Sequence, residues 1–255
     1  MSERNISNNT KLMEIYKRLH DYFGPSNWWP ADSPFEVCVG AILTQNTSWK
    51  NVVKAIANLK RENAMNCPAI YNMAHEDLAQ LIRPAGYFNV KAKRLKNFIT
   101  LLQEKYDGSL NHLFNGKPIT QRLITESCNS NPSSEKINNS RKKSRNRSIS
   151  TLRDELLSVN GIGKETADSI ILYAAQKPVF VIDLYTRRVL SRHNVLAEDA
   201  GYDEAQQLFH DALETDTRLF NDFHAQFVAV GNRFCGRKPK CEQCPLNGIE
   251  MLSND

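Results

Sequence analysis

Apolar residues return at helical spacing along most of this chain. Over residues 11–23, Leu12, Ile15, Tyr16 and Leu19 recur every three or four positions, predicting an amphipathic helix ended by Gly24-Pro25. Residues 34–60 predict two helices broken at 45–47. The first, PFEVCVGAIL, is apolar nearly all round and reads as buried. The second carries Val52, Val53, Ile56 and Leu59 on one side, with Thr47 or Ser48 as its N-cap. Residues 66–82 predict a helix pair split by Pro68. Residues 89–106 predict a long helix with Ala92, Leu95, Phe98, Ile99 and Leu102 as its stripe and its lysines facing out. A helix is predicted over 151–159, with Thr151 and Asp154 at capping-box spacing. Its partner over 164–175 places Ala167, Ile170, Ile171 and Ala174 on one face, and three more helices are predicted over 184–192, 202–213 and 217–230. The run Val179–Ile182 is strand-like but has no partner strand. The expected fold class is all-α.

One segment breaks the pattern. Residues 116–149 are rich in Asn, Ser, Lys and Arg and almost free of apolar residues after Ile124, so they bury too little to offset chain entropy and read as a disordered insertion. Its basic run holds Arg141, Lys142, Lys143, Arg145 and Arg147. These five account for the net charge of +5: the other 28 of the 33 Lys and Arg match the 28 Asp and Glu. The charge balance permits nucleic-acid binding without arguing for it; the basic run either touches phosphates or is a solvated loop. Hydrophobic residues make up 41%, no run approaches the ~20 apolar residues of a membrane span, and the first residues lack the apolar stretch of a secretory signal. A cytoplasmic, nucleoid-associated protein with no membrane partner is expected.

The candidate chemistry centres on residues 156–190, LLSVNGIGKETADSIILYAAQKPVFVIDLYTRRVL. Gly161-Ile162-Gly163 lets the chain reverse between two helices, and the N–H groups of such a turn with the following helix start suit a phosphate. Ile162 would anchor the turn in the core. A glycine turn of a plain αα-hairpin looks the same. Asp183 follows the apolar run and precedes a helix, where it either caps that helix or does chemistry.

These residues resemble the helix-hairpin-helix DNA glycosylases of the endonuclease III superfamily. The resemblance runs through LLSVNGIGKETADSIILYA and VIDLYTRRVL, and upstream through AILTQNTSWKNV and GYFNVKAKRL. It implies a two-domain all-α fold with the active-site cleft between a six-helix domain, 33–178, and a second domain formed by 1–32 with 179–255. It implies that Asp183 is the catalytic aspartate, stabilising an oxocarbenium-like sugar or activating water at C1′. It implies that Gly161, Ile162, Gly163 and Lys164 hold DNA, and that Gln45 enters the duplex where the flipped nucleotide leaves a gap. Arg83, Lys91, Lys93, Arg187 and Arg188 are candidate phosphate contacts.

One position departs from the bifunctional members, which carry a Schiff-base lysine directly before the Thr-Ala of the hairpin. Here Glu165 stands there. Lys164 is adjacent, but one residue turns a helix by ~100°. A monofunctional enzyme is implied. NWWP and LTQNTSWKNV are most similar to the 3-methyladenine glycosylases of endonuclease III type, which implies a base pocket of Trp28, Trp29, Pro30 and Trp49. Aromatic faces suit a cationic alkylated purine, and such chemistry requires base flipping. The alternatives are an endonuclease III-like glycosylase and AP lyase for oxidised pyrimidines, and a DNA-binding protein without chemistry. The expected partner is double-stranded DNA containing a damaged base, bound by a monomer.

FCGRKPKCEQCPL is similar to the family's iron–sulfur loop, which holds a [4Fe–4S] cluster through four cysteines. Here Cys235, Cys241 and Cys244 are spaced C-x5-C-x2-C, one residue short in the first gap, and Glu250 stands in the fourth place. The loop binds a cluster through three cysteines with Glu250, is a relic without iron, or holds zinc. No other cofactor is expected.

Overall fold

The computed structural model describes residues 3–26, 28–119 and 147–249. Among these residues there are twelve α-helices and no strand, so the fold is all-α as the periodicity predicts. The insertion lies largely outside the described residues, as do Cys128, Glu250 and four of the five basic-run residues. The chain forms two compact units, residues 31–170 and residues 1–30 with 171–255.

Unit 31–170 is built on α2 (Pro34–Leu43), α3 (Trp49–Arg61), α4 (Cys67–Asn72), α5 (His75–Leu81), α6 (Phe88–Tyr106), α7 (Leu110–Asn115), α8 (Ile149–Leu157) and α9 (Lys164–Ser169). Helix α6 packs against α2, α4, α5 and α7, and its stripe of Ala92, Leu95, Phe98, Ile99 and Leu102 is fully buried. Helix α2 is buried from Glu36 to Leu43. The α4/α5 pair does not split at Pro68. Proline sits in the first turn of α4, where its missing N–H costs nothing, and the break comes at Met73-Ala74. Helix α8 starts at Ile149, not Thr151: Ser148 Oγ accepts the Thr151 N–H at 3.1 Å, so the cap lies at the very end of the polar insertion.

The lysines of α6 do not all face out. Lys91 is 1% exposed and donates to the Ala85 carbonyl at 2.7 Å. Burial, with the charge of Arg94 adding, lowers its pKa to about 8. Lys96 donates to the carbonyls of Ile70, Tyr71 and Met73 at the end of α4, a cation placed where a helix leaves acceptors open. Arg147, from the basic run, turns inward to Glu155, to the Tyr106 hydroxyl and to the Leu113 carbonyl. Lys91, a candidate phosphate contact, and Arg147, from a run read as touching phosphates or as a solvated loop, are therefore structural cations.

The second unit holds α1 (Glu3–Phe23), α10 (Leu184–Arg192), α11 (Tyr202–Ala212) and α12 (Thr217–Arg233). Helix α1 packs on α11 and α12 through Leu12, Ile15 and Leu19. Helices α10 and α12 approach closely: a Cβ on Gly231 would lie 2.4 Å from Tyr185 Cδ1. Phe180 stacks on Phe209 and meets Phe220, Phe223 and Phe227 edge-on. The run Val179–Ile182 is buried without being a strand, and side chains of α11 replace a ladder. Gln206 donates to the Phe180 carbonyl at 2.6 Å, the Phe180 N–H donates to His210 Nε2, and the Ile182 N–H donates to the Tyr202 hydroxyl.

Candidate active site

The buried run 179–182 delivers Asp183 to the N-cap of α10. Asp183 Oδ1 accepts the Thr186 N–H at 2.7 Å, which fixes one carboxylate oxygen. The other, Oδ2, faces His224 Nε2 at 3.7 Å, and the side chain keeps 13% of its surface exposed. His224 Nδ1 is bonded to the Tyr173 hydroxyl at 2.5 Å. Tyr173 lies on a π turn, Ile170–Ala174, that continues α9. Its ring meets Trp29 at 5.3 Å between centroids, and Trp29 meets Trp28 at 5.5 Å. An unbroken chain of aromatic and titratable groups thus runs from the tryptophans to Asp183 within one unit.

Burial sets the protonation states. It lowers the pKa of His224, with the Asp183 charge opposing, so the imidazole is neutral at pH 7. Burial first, then the charges of Asp183 and Asp222, holds the Tyr173 hydroxyl far above the usual phenol range. Asp222 in turn fixes the loop before the tryptophans: it accepts the Ser26 N–H at 2.6 Å and the Tyr16 hydroxyl at 2.9 Å, while Gln226 donates to the Gly24 carbonyl at 2.8 Å. Asp222 and Gln226, one turn apart on α12, share a face. Pro30 is exposed at the end of this loop.

The hairpin is on the other unit. Gly161 takes φ +99°, and a Cβ there would lie 2.2 Å from Arg94 Cγ, so both conformation and space demand glycine. Ile162 is buried, while Gly163, Lys164 and Glu165 are exposed at the start of α9. Gln45 does not stand free. Its amide donates to the Gly161 carbonyl and to Thr166 Oγ1, each at 3.0 Å, and accepts from Arg94 at 2.5 Å. Filling a duplex gap would require breaking these bonds. Trp49 is half-buried as the first residue of α3, whose N-cap Ser48 makes no side-chain cap bond. Among the phosphate candidates, Arg187 donates to the Ala200 carbonyl and Arg188 to the Cys235 and Gly231 carbonyls.

Sequence pattern gave no sign of Tyr173 or His224, which occupy apolar helix faces and lie 51 residues apart. It also passed over Tyr87, which is 74% exposed at φ +47° just before α6. Tyr87 is thus an aromatic held in the left-handed region and presented to solvent.

Cys235, Cys241 and Cys244 line one small, largely apolar pocket with Arg192, His193, Phe234, Pro239 and Leu246. Arg192 donates to Cys235 Sγ at 3.2 Å and to the Gly236 carbonyl at 2.8 Å. Burial, with the neighbouring Cys235 and Cys241 adding, raises the Cys244 thiol. No three His, Cys, Asp or Glu among the described residues converge as a single-ion site. Three cysteines around one pocket supply the ligand type that an iron–sulfur cluster takes. Cys235, Cys241 and Cys244 would hold the cluster, which would tie together the loop that carries Arg237, Lys238 and Lys240. Protein purified anaerobically is expected to contain iron and acid-labile sulfide, lost in Cys244→Ser; metal analysis and visible absorbance check this.

Residues 39–215, more than half of the chain, match the HhH-GPD superfamily of base excision DNA repair proteins. The chain belongs to this family. Residues 236–249 match the iron–sulfur binding domain of endonuclease III. A Methanocaldococcus jannaschii protein provisionally named a DNA repair glycosylase is 43% identical over 92% of this chain and 93% of its own. The H. pylori 3-methyladenine DNA glycosylase bound to 1,N6-ethenoadenine is 26% identical with a TM-score of 0.65, covering 87% of this chain and 97% of that one. Endonuclease III trapped covalently on DNA shares the fold at 18% identity and TM-score 0.71, with 94% of each chain covered. This HhH-GPD protein is a DNA N-glycosylase of base excision repair in the endonuclease III superfamily, and DNA is its partner. None of its described helices is long and apolar enough to cross a membrane.

Proposed function

We propose that this enzyme is a monofunctional glycosylase that hydrolyses the N-glycosidic bond of alkylated purines of the 3-methyladenine type. The observation that carries the reading is Glu165: a carboxylate cannot form the Schiff base that strand cleavage needs, so water is the nucleophile. Asp183 is the catalytic carboxylate. Its Oδ2 stabilises positive charge on the sugar as the base departs, while the capped Oδ1 fixes its direction. Trp28, Trp29 and Pro30 are base-pocket residues on one unit and Trp49 is a base-stacking residue on the other; electron-rich ring faces favour a cationic base. A cationic base is already a good leaving group, so a strong general acid is not needed. The likeness to the H. pylori 3-methyladenine glycosylase supports this choice of base.

The exposed backbone of Gly163 and Lys164 at the hairpin holds a DNA phosphate, with Ile162 as its buried anchor. Gln45 and Arg94 brace that hairpin in the free enzyme. The enzyme acts as a monomer on a duplex containing the damaged base.

The deciding experiment offers wild-type enzyme two substrates, methylated DNA and DNA containing an oxidised pyrimidine, with borohydride trapping on an abasic duplex. Release of 3-methyladenine, no release of the oxidised base and no covalent adduct are expected. A borohydride adduct would sink the monofunctional reading in favour of the lyase, and no release of any base would favour a protein that only binds DNA.

A further inference from the structure

Asp183 has two oxygens and two partners of different kinds. Oδ1 is held by a backbone N–H. Oδ2 faces His224 Nε2 at 3.7 Å, and that nitrogen is buried with no hydrogen-bond partner among the described residues. The far side of the imidazole is closed by Tyr173 at 2.5 Å. If the Tyr173 hydroxyl donates to Nδ1, the neutral ring carries its proton on Nε2, 3.7 Å from Oδ2; the reverse bond would leave the buried phenol proton with no other acceptor among the described residues. The other tautomer would present a lone pair to the carboxylate. Asp222 on α12 also acts electrostatically on Tyr173, and Tyr16 of α1 is bonded to Asp222.

We propose that Tyr173 and His224 are positioning residues for Asp183: Tyr173 fixes the imidazole tautomer, and the Nε2–H of His224 orients Oδ2 without setting a positive charge beside it. The inference rests on the reading of Asp183 as the catalytic carboxylate. A neutral donor is what this arrangement requires. An imidazolium so close would cancel the field that the developing sugar cation needs. Burial keeps His224 neutral, and the hydroxyl keeps it in one tautomer. No proton is transferred between the three groups; they set the direction of a charge.

Tyr173→Phe removes the hydroxyl and keeps the ring against Trp29. Single-turnover release of 3-methyladenine is expected to slow about 10- to 100-fold, the cost of misdirecting a reacting group. Affinity for an abasic duplex is expected to stay unchanged. Nitrogen–proton spectra of the His224 side chain should show the proton on Nε2 in wild type and shared with Nδ1 in Tyr173→Phe. His224→Gln retains an N–H donor without tautomers, so it should keep most of the rate that His224→Ala loses, and adding Tyr173→Phe to it should change little. A wild-type rate in Tyr173→Phe, an unchanged tautomer spectrum, or His224→Gln as slow as His224→Ala overturns the proposal. If Asp183→Asn is inactive while Tyr173→Phe is unimpaired, only the pair fails; if Asp183→Asn is fully active, the reading beneath it fails.

Discussion

Asp183→Asn is expected to slow single-turnover base release about a thousandfold, the scale of losing one preorganised electrostatic group at a reacting centre. The substitution separates charge from structure. Asparagine caps helices about as well as aspartate, so its side-chain oxygen can still accept the Thr186 N–H and α10 should keep its start. Thermal unfolding should therefore barely move. Binding to an abasic duplex should hold or tighten, because a carboxylate near phosphates is removed. The whole loss should appear in the chemical step, read as rate at saturating enzyme over methylated DNA. Residual release will remain, since a cationic base leaves readily once it is flipped and desolvated. A thousandfold loss accompanied by an equal loss of affinity would instead make Asp183 a binding residue.

Much of this was legible from the chain alone, for physical reasons. Asp183 ends a buried apolar run and opens a polar helix, a local pattern that needs no knowledge of distant residues. Gly161 is likewise marked locally: a reversal between two periodic stretches demands a residue tolerant of positive φ. The groups behind Asp183 were hidden because their meaning is tertiary. Tyr173 and His224 each sit on a face that reads as ordinary core, and only folding brings their polar atoms together. Lys91 misled for the opposite reason. A lysine in a polar-looking register reads as solvent-facing, and nothing in the sequence reveals that the Ala85 carbonyl awaits a donor. Gln45 shows a third limit. The resemblance implies that it enters the duplex, and the bonds by which its amide joins the hairpin turn to Arg94 of α6 are tertiary and leave no mark in the sequence.

Arg153→Met is expected to destabilise unit 31–170 by about 3–5 kcal/mol, the cost of stranding one member of a buried ion pair. Asp168 is fully buried on α9, and Arg153 of α8 binds it in bidentate fashion, Nε to Oδ1 at 2.7 Å and Nη2 to Oδ2 at 3.1 Å. This pair joins the two helices of the hairpin, so it fixes how Gly161–Gly163 is presented. Arg153 is only about one-fifth exposed, so water replaces it poorly. The double substitution Arg153→Met/Asp168→Leu removes both charges and should recover most of the stability, because an apolar pair of similar volume avoids the desolvation cost. DNA affinity should fall with Arg153→Met and stay below wild type in the double variant, which restores packing without restoring the fork that sets the helix angle. Denaturant unfolding and duplex titration of the three proteins test this. If the double variant is no more stable than Arg153→Met, Asp168 was not the stranded charge, and the hairpin owes its geometry to Ile162 and the Gln45 bonds instead.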